Sequence, residues 1–262
     1  MPGSSHKPCS TKPALRLGLR LGLWAGWLLM QTAVSLAQSV TLFSTASADK
    51  PPPPWRVLGF PTGNKPISQF DIATLDGERV LRVVADKSYG QLQHDLPNLT
   101  LGTGSLLRWR WRLEQPLRDA DLHQKKGDDS PLKVCVLFDM PAKNLGLFER
   151  GFLSAARSMS KENLPAATLC YVWDHKLPVG TELPNAYTKR VRYVVMNSGD
   201  SQLKTWLSHE RDIAADFMRA FGSETDTLPP LMGLAVGADA DNTAASSLGY
   251  VGDVGLKVMG KP

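Results

Sequence analysis

The chain has 262 residues, 42% apolar and 21% charged, with a formal net charge of +5. Four of its 30 basic residues and none of its 25 acidic ones lie within residues 1–37. The remainder is therefore close to neutral and lacks the basic field that a nucleic-acid partner requires; its length suits one large all-β domain or two small ones.

Residues 1–37 read as an export signal. Lys7, Lys12, Arg16 and Arg20 form a basic leader, and Leu21 to Val34 is an apolar run interrupted only by Gln31 and Thr32. Ser35 and Ala37 are the small residues that a signal peptidase reads. The run falls short of the ~20 residues of a membrane span. Cleavage near Ala37 thus predicts a periplasmic or secreted protein with no transmembrane segment in the mature chain.

Residues 38–54 follow as a Pro-rich N-terminal arm, ending in Pro51 to Pro54, which reads as a stiff, extended spacer. Residues 55–262 read as a single domain. Short runs rich in β-branched and aromatic residues, parted by Gly, Pro, Asn and Asp, predict strands at 78–84, 105–113, 132–138, 168–173, 190–196, 231–236 and 250–258. Two helices interrupt them. One spans about 145–159, with Phe148, Phe152, Ala156 and Met159 as an apolar stripe expected to pack over a sheet, the alternative being a lid or partner-binding helix. The other follows a capping Asp212 and ends at Gly222, with Ile213, Phe217 and Phe221 on one face. The expected fold class is mainly β: an antiparallel β-sandwich or jelly roll with one or two peripheral helices.

Period 2 places Leu107, Trp109, Trp111 and Leu113 on one face of a strand, and Arg108, Arg110 and Arg112 on the other. Arg190 and Arg192 repeat the pattern. Two adjoining Arg rows would grip carboxylates or phosphates through paired hydrogen bonds; the alternative is neutralisation by cross-strand Asp and Glu. Trp173 and Trp206 lie near strand ends and are candidate stacking platforms for sugars, with burial in the core as the alternative. Asp239, Asp241, Asn242 and Asp253 offer oxygen ligands for a structural calcium, or a turn held by Asx bonds; no other cofactor is expected. Cys135 and Cys170 form a disulfide if their strands are neighbours, or stay reduced and buried. Motifs of nucleophilic, zinc and nucleotide sites are absent from the sequence; Tyr171 and His175 are the residue types of a lyase proton transfer.

The ordered set Trp109-Arg110-Trp111, Lys126-Gly127-Asp128-Asp129, Tyr171-Val172-Trp173, Gly237 to Thr243 and Gly252-Asp253-Val254 resembles the bacterial domain-of-unknown-function 3047 family. The resemblance implies export and a β-rich fold, and brings no catalytic residue with it. The expected function is non-catalytic binding of a glycan or other envelope polymer, preferably an anionic one. A polysaccharide lyase or glycoside hydrolase acting on acidic glycans is the alternative, as is a structural or interaction protein of the cell envelope that uses the Phe148 helix.

Overall fold

The computed structural model describes residues 2–3, 39–60, 63–160 and 162–260. The export leader and its cleavage point lie outside the described residues. The compact unit considered below is Gln38–Pro262.

Thirteen strands are described: β1 (Arg56–Leu58), β2 (Gln69–Leu75), β3 (Glu78–Asp86), β4 (Tyr89–Leu99), β5 (Leu106–Gln115), β6 (Ser130–Phe138), β7 (Ala167–Asp174), β8 (Glu182–Pro184), β9 (Val191–Ser198), β10 (Leu207–Asp212), β11 (Leu231–Asp239), β12 (Ser246–Val251) and β13 (Gly255–Lys257). They form a seven-stranded sheet, β1-β4-β11-β6-β7-β9-β8, and a six-stranded sheet, β10-β5-β12-β3-β2 with β13 also on β5. Pairing is antiparallel except between β7 and β9, which run parallel. The expected sandwich is present, with that one departure.

Alternation in β5 places its apolar residues as expected. Leu107, Trp109, Trp111 and Leu113 are buried between the sheets. They meet Tyr171 and Trp173 of β7: Trp109 stacks on Tyr171 at 5.0 Å, and Trp111 lies 6.1 Å from Trp173. An indole hides ~200 Å² of surface, worth roughly 5 kcal/mol at ~25 cal/mol/Å² as an upper bound. These side chains are therefore the main cement between the sheets. The Trp111 indole N–H has its own acceptor, Asn197 Oδ1 at 2.8 Å, so its burial leaves no polar debt.

Helix α2 (Ile213–Phe221) follows Asp212, whose carboxylate accepts from the Ala214 and Ala215 amides at 3.1 and 3.0 Å. Phe217 packs on Phe138 at 4.5 Å and on Phe221 at 5.1 Å. The helix touches β7 of one sheet and β10 of the other, and so braces them together.

Two expectations are corrected. Residues 38–54 do not form a spacer: Val40, Phe43 and Ala46 are buried in the core. The Thr41 amide donates to His94 Nε2 at 3.1 Å, and the Trp55 indole N–H donates to Thr41 O at 2.7 Å. The segment is a fixed part of the sandwich. Helix α1 (Leu147–Ser160) forms as expected but turns its apolar stripe outward. Phe148, Phe152 and Met159 are exposed, while Leu153 is buried. Arg157 donates twice to Leu164 O, at 2.8 and 2.6 Å, and Glu149 meets Arg190 at 3.4 Å. Polar anchors therefore set the helix rotation, overriding the hydrophobic pattern.

Candidate functional site

The outer face of the six-stranded sheet carries a groove of about 620 Å³. Its floor is built by β5 and β10, whose register sets Glu210 opposite Arg108 and Ser208 opposite Arg110. Arg108 pairs with Glu210, and Arg110 pairs with Glu78 at the start of β3. Arg79 and Asp253 also line the groove; Asp253 accepts from the Ser44 amide at 2.9 Å and from its hydroxyl at 2.6 Å. The N-terminal segment thereby supplies one wall.

Gly252 allows this floor to form. A Cβ there would lie 2.6 Å from Arg110 Nε and 2.7 Å from its Cγ. Only glycine leaves space for the arginine stem to cross the backbone at that point. The Arg110 guanidinium then covers the Trp206 ring at 4.7 Å, a cation–π contact. The Trp206 indole N–H donates to Asp76 Oδ2 at 3.0 Å, and Arg112 reaches the same oxygen at 3.1 Å and Glu114 at 2.6 Å.

Beneath this floor, on the inner face of the sheet, the His209 ring lies against Trp109 and Trp111 at 5.1 and 5.2 Å. His209 Nε2 lies 2.9 Å from Asn197 Oδ1. That oxygen only accepts, so Nε2 carries the proton. Burial, with the charge of Arg211, pushes the imidazole down to about 4. It is neutral at neutral pH.

The two arginine rows do not adjoin. Arg108, Arg110 and Arg112 belong to the six-stranded sheet, whereas Arg192 lies on β9 of the seven-stranded sheet and Arg190 just before it. Arg190 is buried and bonds Glu224 at 2.6 Å. Arg192 also pairs with Glu224, donates to Ala220 O, and lies over the Phe221 ring at 4.3 Å. These two arginines fasten the end of α2 to β9. All five arginines pair with the chain's own carboxylates, but only Arg108, with Glu210, does so across neighbouring strands.

The remaining sequence candidates are dispersed. Trp173 is buried in the core and bonds Gly199 O at 3.3 Å, so its faces are closed to a sugar. Tyr171 is also buried; its hydroxyl donates to Asp216 Oδ2 at 2.7 Å, and burial raises its pKa well above the ordinary phenol value. His175 sits 3.3 Å from Asp200. Asp239 accepts from Lys133 and the Ser130 amide, Asp241 pairs with Lys65, Asn242 donates to Asp128 O, and Asp253 belongs to the groove wall. Among the described residues these groups form no metal-holding cluster. Cys135 and Cys170 sit directly opposite in the β6–β7 register and are joined by a disulfide.

Asp239 and Asp128 instead belong, with Lys133 and Asn185, which the sequence did not single out, to a second polar centre on the outer face of the seven-stranded sheet. Lys133 and Asp239 are buried there and bond at 2.8 Å. Burial works against the Lys133 ammonium, but Asp239 and the nearby phenols overcome it and hold the lysine cationic. Asn185 bridges Asp128 and the Tyr193 hydroxyl, the latter at 2.8 Å. Burial, then the Asp239 charge, pushes the Asp128 carboxyl up to about 6. One sequence signal marks this centre: Lys133 shares the phase of Cys135 and Leu137 in an otherwise apolar strand. In the groove, Ser208 and Glu210 alternate with Leu207 and His209 in the same way.

The fold is a two-sheet β-sandwich with an open, charge-lined groove on one face. Residues 53–255 match the family described as protein of unknown function DUF3047, and the chain belongs to that family. No curated protein matches it in sequence. Among solved structures, it is similar to endoglucanase 3 of family GH12 from Trichoderma harzianum, with 9% identity, 85% of this chain and 99% of that one covered, and a TM-score of 0.41. Humicola grisea Cel12A, solved with a thio cellotetraose, gives 10%, 84%, 97% and 0.42. The xyloglucanase domain of NopAA from Sinorhizobium fredii, solved with cellobiose, gives 9%, 78%, 93% and 0.40.

Proposed function

We propose that this protein is an exported, non-catalytic carbohydrate-binding sandwich, with the Arg108–Arg110 groove as its site. The observation that carries the reading is the balance of charge in that groove. Three guanidinium groups (Arg79, Arg108, Arg110) face three carboxylates (Glu78, Glu210, Asp253), with the Ser208 hydroxyl among them. A polyanion would meet as many like charges as opposite ones. A neutral polyol would find fork donors and carboxylate acceptors side by side, which is what adjacent sugar hydroxyls need. The preference therefore moves from anionic to neutral glycans.

The non-catalytic reading is supported by Tyr171, the sequence candidate for proton transfer, being held in the core by Asp216. Export is supported by the leader sequence and by the Cys135–Cys170 bridge, which belongs to an oxidising compartment. Isothermal titration against neutral gluco- and xylo-oligosaccharides and against uronate polymers is the test. Neutral oligosaccharides should bind, and Arg110→Ala should weaken them at least ~tenfold, the effect of losing a charge-assisted bond. Preference for the uronates, or an unchanged Arg110→Ala variant, would overturn the reading.

A further inference from the structure

The three arginines of β5 are held in three different ways. Arg108 is open to water beside Glu210. Arg112 is tied to two carboxylates, Asp76 at 3.1 Å and Glu114 at 2.6 Å. Arg110 is held by its face: its guanidinium lies over the Trp206 ring at 4.7 Å, and its stem crosses the backbone where Gly252 leaves room. Glu78 meets it at one nitrogen, Nη2. Among the described residues, neither of the other two lies on an aromatic ring.

The Trp206 ring is itself fixed. Its indole N–H donates to Asp76 Oδ2 at 3.0 Å, the oxygen that Arg112 also reaches. Asp76 and Gly77, at φ 52° and 81°, make the two-residue turn between β2 and β3, with Leu75 opposite Glu78. One tight turn therefore places both the acceptor for Trp206 and the carboxylate for Arg110. Trp206 stands two residues before Ser208 and four before Glu210, and its contact with Arg110 puts it on their side of the sheet.

We propose that Trp206 is the positioning residue of the groove: it holds the plane of the Arg110 guanidinium and so sets the direction of the donors offered to a sugar. This role rests on the reading of the groove as a sugar site. Stacking uses the face of a guanidinium, whereas its N–H groups all lie in the plane. The stack therefore occupies no donor. The Glu78 bond, open to water, can be exchanged for a sugar hydroxyl at little cost while the plane stays where it was. An arginine already held gives up less side-chain freedom on binding than a free one. The sequence expectation made Trp206 a platform for the sugar itself; with Arg110 on its ring, it acts through that arginine.

A double-mutant cycle on binding, read by isothermal titration with neutral gluco- and xylo-oligosaccharides, tests this. Trp206→Ala should weaken binding about three- to fivefold, the effect of losing a cation–π contact at an exposed site. In an Arg110→Ala background the same substitution should weaken it no further, because the side chain it positions is gone. Trp206→Phe keeps a ring face and should retain most of the affinity. Thermal melts accompany each variant, and Trp206→Leu, apolar but without a π face, takes the place of alanine in the cycle if the alanine variant melts early. Additive losses would overturn the proposal, since Trp206 would then touch the sugar on its own account. So would a Trp206→Ala variant that binds as wild type does. A wild type that binds no neutral oligosaccharide would sink the sugar site itself, and this role with it.

Discussion

The two outer faces of the sandwich carry charge in opposite ways. On the six-stranded sheet, Arg108 and Arg110 pair with Glu210 and Glu78 while all four remain partly open to water. On the seven-stranded sheet, Lys133 and Asp239 are buried, beside a second apolar cluster. Leu122 from the β5–β6 connection and Leu177 and Leu183 from the β7–β9 connection pack over Cys135, Val172 and Tyr193. Water screens the first set of pairs and lets them exchange partners at little cost, which is what a binding surface needs. The second set has no such freedom. Removing one partner there leaves a desolvated charge behind. One sheet face thus keeps its charges open to water, and the other is a second core with charges locked inside it.

The sharpest way to test that contrast is to break the sealed pair. Lys133→Met should cost about 3–5 kcal/mol in urea denaturation, because Asp239 is left buried without its counterion. Lys133→Met/Asp239→Asn should recover much of that loss, since both charges are then gone. If the single variant costs less than ~1 kcal/mol, the two faces are energetically alike and the contrast fails.

The disulfide comes next. Cys135 and Cys170 close a loop with a sequence separation of 35. Chain-entropy arguments put its removal at roughly 3–4 kcal/mol. Cys135→Ala/Cys170→Ala should therefore lower the denaturation midpoint clearly, and reducing agent should shift wild type to nearly the same value. A wild type indifferent to reductant would mean that this covered face draws its stability from packing alone.

A pH series probes the sealed face more gently. Asp128 is pushed up to about 6, so between pH ~4 and ~6 the folded state holds a proton that the unfolded state has released. Its contribution is complete below the ordinary carboxyl value and is lost as pH rises through 6. His209 runs the other way: at about 4 it is depressed, so its contribution is present above ~6.5 and lost as pH falls through 4. Subtracting the melting curve of Asp128→Asn from that of wild type cancels the histidine. The difference should swing in favour of the variant between pH 4 and 7, by at most ~3 kcal/mol, the worth of two pK units. Parallel curves would mean that water reaches Asp128.

Legibility from the sequence followed the same divide between patterned and networked residues. Strands with clean alternation were visible: β5, β6, β7 and β11 all begin within two residues of the expected positions. Helix α2 follows Asp212, as its cap and Phe spacing indicate. By contrast, β4 and β10 (Tyr-Gly-Gln-Leu-Gln-His-Asp-Leu-Pro-Asn-Leu and Leu-Ser-His-Glu-Arg-Asp) carry so many polar residues that their strand character is hidden. Those residues are polar because of partners distant in sequence. Glu210 answers Arg108, and His94 answers Thr41. Half of the groove was legible, as the arginine row on β5. The carboxylates that balance it come from β3, β10 and the β12–β13 turn, and only the register brings them together. The outward turn of α1 was not legible either, because its rotation is fixed by Arg157 and Glu149 bonding to groups outside the helix.

The smallest expected effect closes the comparison from the open side. Arg108 and Glu210 are 60% and 48% exposed, and they face each other across the β5–β10 register. A double-mutant cycle over Arg108→Ala and Glu210→Ala should give a coupling of no more than ~1 kcal/mol, shrinking further in high salt. The same cycle over Lys133 and Asp239 should be several times larger and almost insensitive to salt, because no ions reach it. A strong, salt-resistant coupling at Arg108 would mean that the groove is preorganised as rigidly as the sealed face. Its arginines would then be structural fasteners, with no hydrogen bonds to release for a ligand.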